Sequence, residues 1–186
     1  MPLFFEAEIE VINVHNKSFE VYLPASEIDT QIKRVATELL SDYGDRSPLF
    51  VGVLNGAFMF FSDLMKAFDA PCEVGFVKAA SYQGMETTGK VKFHEAGALN
   101  IRGRDVIVIE DIVDTGNTLK ALYEHFKDAQ PRSLKVCTLL FKKEAYKQSL
   151  PIDYVCFETE NKFLLGYGLD YDGYGRNLPE VYILKD

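Results

Sequence analysis

The stretch Val106-Ile107-Val108-Ile109-Glu110-Asp111-Ile112-Val113-Asp114-Thr115-Gly116-Asn117-Thr118-Leu119 decides the fold. Its first four residues are β-branched, the composition of a buried strand. Two adjacent carboxylates, Glu110 and Asp111, stand where that strand ends, and Asp114 follows them. Thr115-Gly116-Asn117-Thr118 is a turn of small residues, after which Leu119, Leu122, Tyr123 and Phe126 recur at helical spacing. The order is strand, acidic rim, turn and helix N-terminus. In open α/β sheets, ligands bind outside the carboxyl ends of the strands. Free N–H groups at a helix start, a glycine without Cβ and nearby hydroxyls suit a phosphate. The carboxylates suit hydroxyls, a metal ion or a proton, so a site with both halves suits a phosphorylated sugar.

Working outward, 186 residues are enough for one core-bearing domain and few for two. A hydrophobic content of 47% with 26% charged residues is that of a globular chain. The net charge of −8 argues against a broad nucleic-acid or membrane surface. Backbone N–H groups, a few placed cations and Mg²⁺ still allow an acidic protein to hold a polyanion. Cys72, Cys137 and Cys156 form no C-x-x-C pair, and the last two lie in apolar runs, so buried free thiols are expected. The first residues lack a basic segment followed by a long apolar one, and no run has the length of a membrane span. A reducing, cytoplasmic setting is the expectation.

Along the chain, strands are predicted at 19–23, 49–54, 72–79, 134–141, 153–157, 163–167 and 181–184. Ser26 is the predicted cap of a helix with the stripe Ile28, Ile32, Val35 and Leu39. A second helix is predicted to use Phe58, Phe61, Met65 and Phe68. The polar stretch 81–92 has no period and reads as a long mobile loop. Strands alternating with helices through the middle imply right-handed βαβ crossovers and a parallel sheet. Both ends are strand-rich without intervening helices and are predicted to form a small cap over the sheet's carboxyl edge. His15, His94 and His125 fit no metal or triad spacing.

The run around Asp114 resembles the 5-phosphoribosyl-1-pyrophosphate (PRPP) signature of type I phosphoribosyltransferases: a hydrophobic strand, two acids, two apolar residues, then Asp-Thr-Gly-x-Thr. Four further segments, in order, resemble the hypoxanthine-guanine phosphoribosyltransferase family over about 50–178. They are Val53-Leu54-Asn55-Gly56-Ala57, Ser81-Tyr82, Leu140-Phe141-Lys142-Lys143, and Lys162-Phe163-Leu164-Leu165-Gly166-Tyr167-Gly168-Leu169-Asp170-Tyr171 with Arg176 beyond it. The resemblance implies an α/β type I phosphoribosyltransferase fold in a single domain spanning 1–186. Its core would lie at about 26–157, with a hood from about 1–25 and 158–186.

The same resemblance implies Mg²⁺-dependent transfer of phosphoribosyl from PRPP to N9 of a 6-oxopurine by a homodimer or homotetramer. It assigns the 5′-phosphate to Thr115, Gly116, Asn117 and Thr118, and the ribose hydroxyls, directly or through Mg²⁺, to Glu110 and Asp111. Asp114 becomes the acid/base near N7, Lys142 the donor to purine O6, Phe163 the stacking ring and Leu164 the backbone at the base edge. Asp170 becomes a Mg²⁺ ligand and Arg176 the cation on departing pyrophosphate. Leu54, Asn55 and Gly56 form a pyrophosphate loop with a cis Leu54–Asn55 bond, while Ser81 and Tyr82 belong to a closing loop. Asn55 and Asn117 stand where some members carry lysine, a departure that either weakens PRPP binding or moves charge compensation onto Mg²⁺. Neither position needs a side chain if the backbone makes the contact. A transferase for xanthine or another base and a non-catalytic PRPP sensor stay open as alternatives. A dinucleotide-binding domain is excluded by the lack of G-x-G-x-x-G after the first strand.

Overall fold

The computed structural model describes residues 11–81, 91–95 and 99–185. The larger sheet contains β3 (Leu49–Leu54), β4 (Glu73–Ser81), β5 (Val91–Glu95), β6 (Asp105–Val113), β7 (Ser133–Phe141) and β8 (Tyr154–Glu158). Its order is β5-β4-β3-β6-β7-β8, with β5 antiparallel to β4 and the other pairings parallel. From β3 the chain moves outward to β4 on one side, then returns to β6 and continues to β7 and β8 on the other. The strand order therefore reverses between β3 and β6. Loops leaving the carboxyl ends of these two neighbours diverge and open a crevice.

Burial on both faces explains why these strands are apolar at nearly every position. Phe50, Ile107 and Ile109 pack with Leu39 of α1 (Ala25–Tyr43) and with Phe60 and Leu64 of α2 (Phe58–Ala67). Val51, Val53, Val106 and Val108 point the other way, onto Leu122 and Phe126 of α3 (Asn117–Lys127). Alternate residues of one strand thus serve opposite layers. A smaller antiparallel sheet, in the order β1-β2-β10-β9, joins β1 (Val11–Val14) and β2 (Lys17–Leu23) to β10 (Val181–Leu184) and β9 (Leu164–Leu165). Its own small core is Phe19, Leu165 and Tyr182. No helix among the described residues is long and apolar enough to cross a membrane.

Four local expectations need correction. Of the strand expected at 163–167, only Leu164–Leu165 pair as β9, because the backbone turns to positive φ at Gly166 and Tyr167. Ser26 does not cap α1: Pro24 occupies the N-cap position with φ −70°, and its carbonyl accepts from Glu27 N at 3.0 Å. Proline's fixed φ starts the helix without a side-chain cap. The α1 stripe itself, Ile28, Ile32, Val35 and Leu39, is buried as its spacing predicts. In α2 the buried face is Phe60, Phe61 and Leu64, while Phe58 is 43% exposed. Apolar residues at four consecutive positions, 58–61, leave the helical phase ambiguous until a neighbour selects the face. The stretch 81–92 is not all loop, because Ser81 ends β4 and pairs with Val91 at the start of β5. Residues 82–90 lie outside the described residues.

Asp105 opens β6 almost wholly buried and accepts from Arg132 Nε at 3.0 Å and Ser133 Oγ at 2.6 Å, tying the starts of β6 and β7 together. The Arg132 hydrogen bonds outweigh burial and hold the Asp105 carboxyl below its ordinary value. A carboxylate with a depressed folded pKa stabilises above its unfolded value, and that contribution is lost as pH falls through the folded value. Asp105→Asn is therefore expected to lower the denaturant midpoint at pH 7. The gap to wild type should close below about pH 4, as checked by urea melts across the acid range.

Candidate active site

The carboxyl end of β6 carries two carboxylates in a poorly hydrated setting. Glu110 is 6% exposed, and burial, reinforced by the neighbouring Asp111 charge, pushes its carboxyl well above its ordinary value. Burial likewise pushes Asp111 up to about 6, against the opposing effect of its hydrogen bond from Ile112 N at 2.9 Å. Arg176 lowers the Asp111 value and Asp170 raises it, so both belong to the same electrostatic neighbourhood. Among the described residues no cluster of three or more His, Cys, Asp or Glu side chains could hold a metal unaided.

Glu110 through Leu119 line a pocket of about 290 Å³. At its far side α3 begins after Gly116, whose φ of 80° is left-handed and suits glycine. Tyr146 lies against this glycine so closely that a Cβ would overlap its ring. No side chain caps α3. Its first-turn N–H donors are therefore available to a ligand. Thr115 and Thr118 are half-buried beside them, whereas Asn117 is exposed and accepts from Gln148 Nε2 at 3.1 Å.

The β3 loop approaches from the other side of the crevice. The Leu54–Asn55 peptide is cis, and Gly56 lies against Asp111 such that a Cβ would overlap Oδ2. Gly168 in turn lies on the Gly56 carbonyl, again with no room for a Cβ. Around Gly168, Arg176 donates from Nη1 to the Gly168 carbonyl at 2.7 Å and pairs through Nη2 with Asp170 Oδ1 at 2.5 Å. Asp170 Oδ2 also accepts from Gly173 N at 2.7 Å. One packed chain of contacts therefore connects Asp111, Gly56, Gly168, Arg176 and Asp170.

Lys142, just beyond β7, is only 8% exposed and is not a surface lysine. Its ammonium stands 3.3 Å from Asp114 Oδ2, and its N–H donates to the Val113 carbonyl at 2.9 Å. Lys143 instead reaches Glu158 at the surface. Leu164 is buried in β9, while Phe163 just before it is 39% exposed. The Phe163 ring meets Tyr171 edge-on at 5.7 Å, with Lys17 Nζ 5.4 Å from its centroid. Ser81 ends β4, and Tyr82 lies outside the described residues.

Sequence reasoning missed Tyr146, Lys17 and Asp63, which accepts from Tyr167 Oη at 2.6 Å. No local pattern marks them, because each meets the site from a distant part of the chain. Only Gly166-Tyr167-Gly168 carried a signal: glycines flanking a tyrosine mark an unusual backbone.

Known proteins are similar to this chain in sequence and fold. The family model for the phosphoribosyl transferase domain matches residues 21–172. The chain is 40% identical over 175 residues to a hypoxanthine-guanine phosphoribosyltransferase of Aquifex aeolicus, covering 93% of this chain and 98% of that one. It is 42% identical over 174 residues to the Streptococcus agalactiae protein of that name, covering 93% and 97%. A solved hypoxanthine-guanine phosphoribosyltransferase from Bacillus anthracis superposes with a TM-score of 0.84 at 34% identity, covering 95% of this chain and 100% of that one. A Trypanosoma cruzi hypoxanthine phosphoribosyltransferase superposes with a TM-score of 0.83 at 33% identity, covering 94% and 95%. With an acid-rimmed small-residue turn at the switch point of a central parallel sheet and relatives aligned along nearly its whole length, this chain belongs to the phosphoribosyltransferase family, alongside the hypoxanthine-guanine phosphoribosyltransferases.

Proposed function

We propose that the chain transfers the 5-phosphoribosyl group of PRPP to N9 of a 6-oxopurine, hypoxanthine and also guanine, releasing pyrophosphate. The observation that carries this reading is the buried Lys142 paired with the half-exposed Asp114 beside an uncapped, phosphate-ready helix start. A purine whose O6/N7 edge lay against this pair would receive an ammonium hydrogen bond at O6 and find an acid/base at N7. Adenine presents a donor where Lys142 donates, a mismatch that a dry site penalises. Phe163 would stack on the base and the Leu164 backbone would meet its edge.

Thr115, Gly116, Asn117 and Thr118 would hold the 5′-phosphate, with Glu110 and Asp111 on the ribose hydroxyls. As N9 bonds to C1′, the C1′–O bond breaks, pyrophosphate leaves with the electron pair, and Asp114 would take the proton that the base loses at N7. The transition state is oxocarbenium-like, so catalysis consists of alignment and charge stabilisation. Arg176 and the Leu54-Asn55-Gly56 loop would receive the leaving group, and Ser81 and Tyr82 would help exclude water. A buried and a half-buried carboxylate whose pKa values are raised make an oxygen-only donor set that suits Mg²⁺. Glu110, Asp111 and Asp170 would hold it together with substrate oxygens, and when bound it supplies charge neutralisation for pyrophosphate. Action of the whole chain as one domain, in a cytoplasmic homodimer or homotetramer, belongs to the same proposal.

Nucleotide formation from PRPP, Mg²⁺ and hypoxanthine, guanine, xanthine or adenine tests the reading. Turnover of oxopurines without adenine is expected, with Asp114→Asn lowering kcat about 10²- to 10⁴-fold. PRPP binding without turnover of any base would instead favour the sensor alternative.

The Asp111 value of about 6 sets a pH dependence. Metal and hydroxyl ligation need the ionised carboxylate. The KM for PRPP is therefore expected to rise as pH falls below 6, and initial rates at fixed Mg²⁺ would show it.

Glu110→Gln should separate stability from function. A carboxyl whose folded pKa is raised weakens the fold above that value and has no such effect below the unfolded value of about 4.3. The variant is expected to melt at a higher temperature at pH 8, with the gain vanishing near pH 4, while its affinity for Mg²⁺–PRPP falls.

A further inference from the structure

Residues 166, 167 and 168 have φ values of 93°, 47° and 102°. Two are glycines, but Tyr167 is bulky and adopts this region only where its surroundings hold it. Its ring is 5% exposed within the main core, and its N–H donates to the Leu178 carbonyl at 2.9 Å. Its hydroxyl leaves this segment and reaches Asp63 Oδ2 of α2 at 2.6 Å, while Lys66 Nζ holds the other Asp63 oxygen at 2.8 Å. Burial would raise the Asp63 pKa, but hydrogen bonds from Lys66 and Tyr167 outweigh it and keep the carboxylate ionised as an acceptor.

The two ends of this bond are what make it informative. The helix bearing Asp63 starts directly after the Asn55-Gly56 loop. The residue following Tyr167 is Gly168, which lies on the Gly56 carbonyl and accepts from Arg176. The Asp63–Tyr167 bond therefore spans the same two segments that meet at Gly56 and Gly168. One segment carries the loop under Asp111, and the other carries Leu164, Asp170 and Arg176.

We propose that Asp63 and Tyr167 are positioning residues that set the distance between the two walls of the pyrophosphate-binding half of the site. This rests on the transferase reading above. Neither side chain needs to touch substrate. Their hydrogen bond fixes where Arg176 and Asp170 stand relative to the Asn55-Gly56 loop, and misplacement by about 1 Å costs up to 10²-fold in rate.

The test is Tyr167→Phe, which keeps the ring and removes only the hydroxyl, with Asp63→Ala, Asp63→Asn and the Tyr167→Phe/Asp63→Ala double variant. The expected result is a loss in kcat/KM for PRPP on the order of tenfold, with the KM for hypoxanthine within about twofold of wild type. Asp63→Asn keeps an acceptor and should retain most activity, and the double variant should lose no more than the worse single one. Pyrophosphate affinity, measured by calorimetry with Mg²⁺, should weaken in parallel and needs no turnover. A lowered melting temperature with kcat/KM and pyrophosphate affinity unchanged would overturn the proposal and leave the bond purely structural. A wild-type protein that binds pyrophosphate but turns over no base would fail the transferase reading alone, and the affinity ratios would still decide this one. A wild-type protein that binds no pyrophosphate would overturn both.

Discussion

Gly56 lies so near the Asp111 carboxylate that a methyl group would overlap Oδ2, and this contact exists because β3 and β6 are parallel neighbours. Parallel pairing brings both carboxyl ends to one edge of the sheet. The reversal of strand order between them sends the next segments apart, toward α2 on one side and α3 on the other. A loop and a carboxylate that are 55 residues apart in sequence therefore meet at the mouth of a crevice. Gly168 is the third member of this contact, held on the Gly56 carbonyl by a segment from the far end of the chain. A side chain at either glycine would push Asp170 and Arg176 away from Asp111.

Charge is distributed unevenly around that contact. Lys142 is buried but answered by Asp114, and Arg176 by Asp170. A buried lysine without a partner would be costly. Glu110 and Asp111, by contrast, are raised by burial with no comparable cation directly against them among the described residues. Two uncompensated acids at a strand end weaken the fold unless something positive or hydroxyl-bearing joins them. Such local cost is common where a site is built for a ligand instead of for its own stability. The paired lysine and arginine and the acids without a paired cation thus differ in kind: under the proposed function one set would exchange partners when substrate enters, and the other would gain one.

Much of this was legible in the residues. Strand 49–54 and strand 181–184 have the bounds that composition predicts, and the run from Val106 to Leu119 folds as strand, turn and helix, with the strand continuing through Glu110 and Asp111 to Val113. These segments are legible because their signals are local: β-branched runs, apolar residues at helical spacing and a small-residue turn. The α2 face was not, since Phe58 to Phe61 offer no polar contrast and the neighbouring sheet and α1 select Phe60, Phe61 and Leu64. The Ser26 cap failed because Pro24, two residues earlier, already supplies the backbone geometry of a helix start. The strand at 91–95 escaped notice because its alternation, Val91-Lys92-Phe93-His94, is short and directly follows the polar stretch.

By itself, then, the sequence determined the class of fold, the acidic turn and the kinds of group that a ligand would meet, because hydrophobic periodicity and turn chemistry act over a few residues. The tertiary structure decided which of those groups share a site. It placed Lys142 inside against Asp114, set Gly56 on Asp111, and connected Tyr167 to Asp63 across 104 positions. Side-chain burial, pKa and pairing depend on what the remote parts of the chain bring alongside, and no local pattern encodes those neighbours.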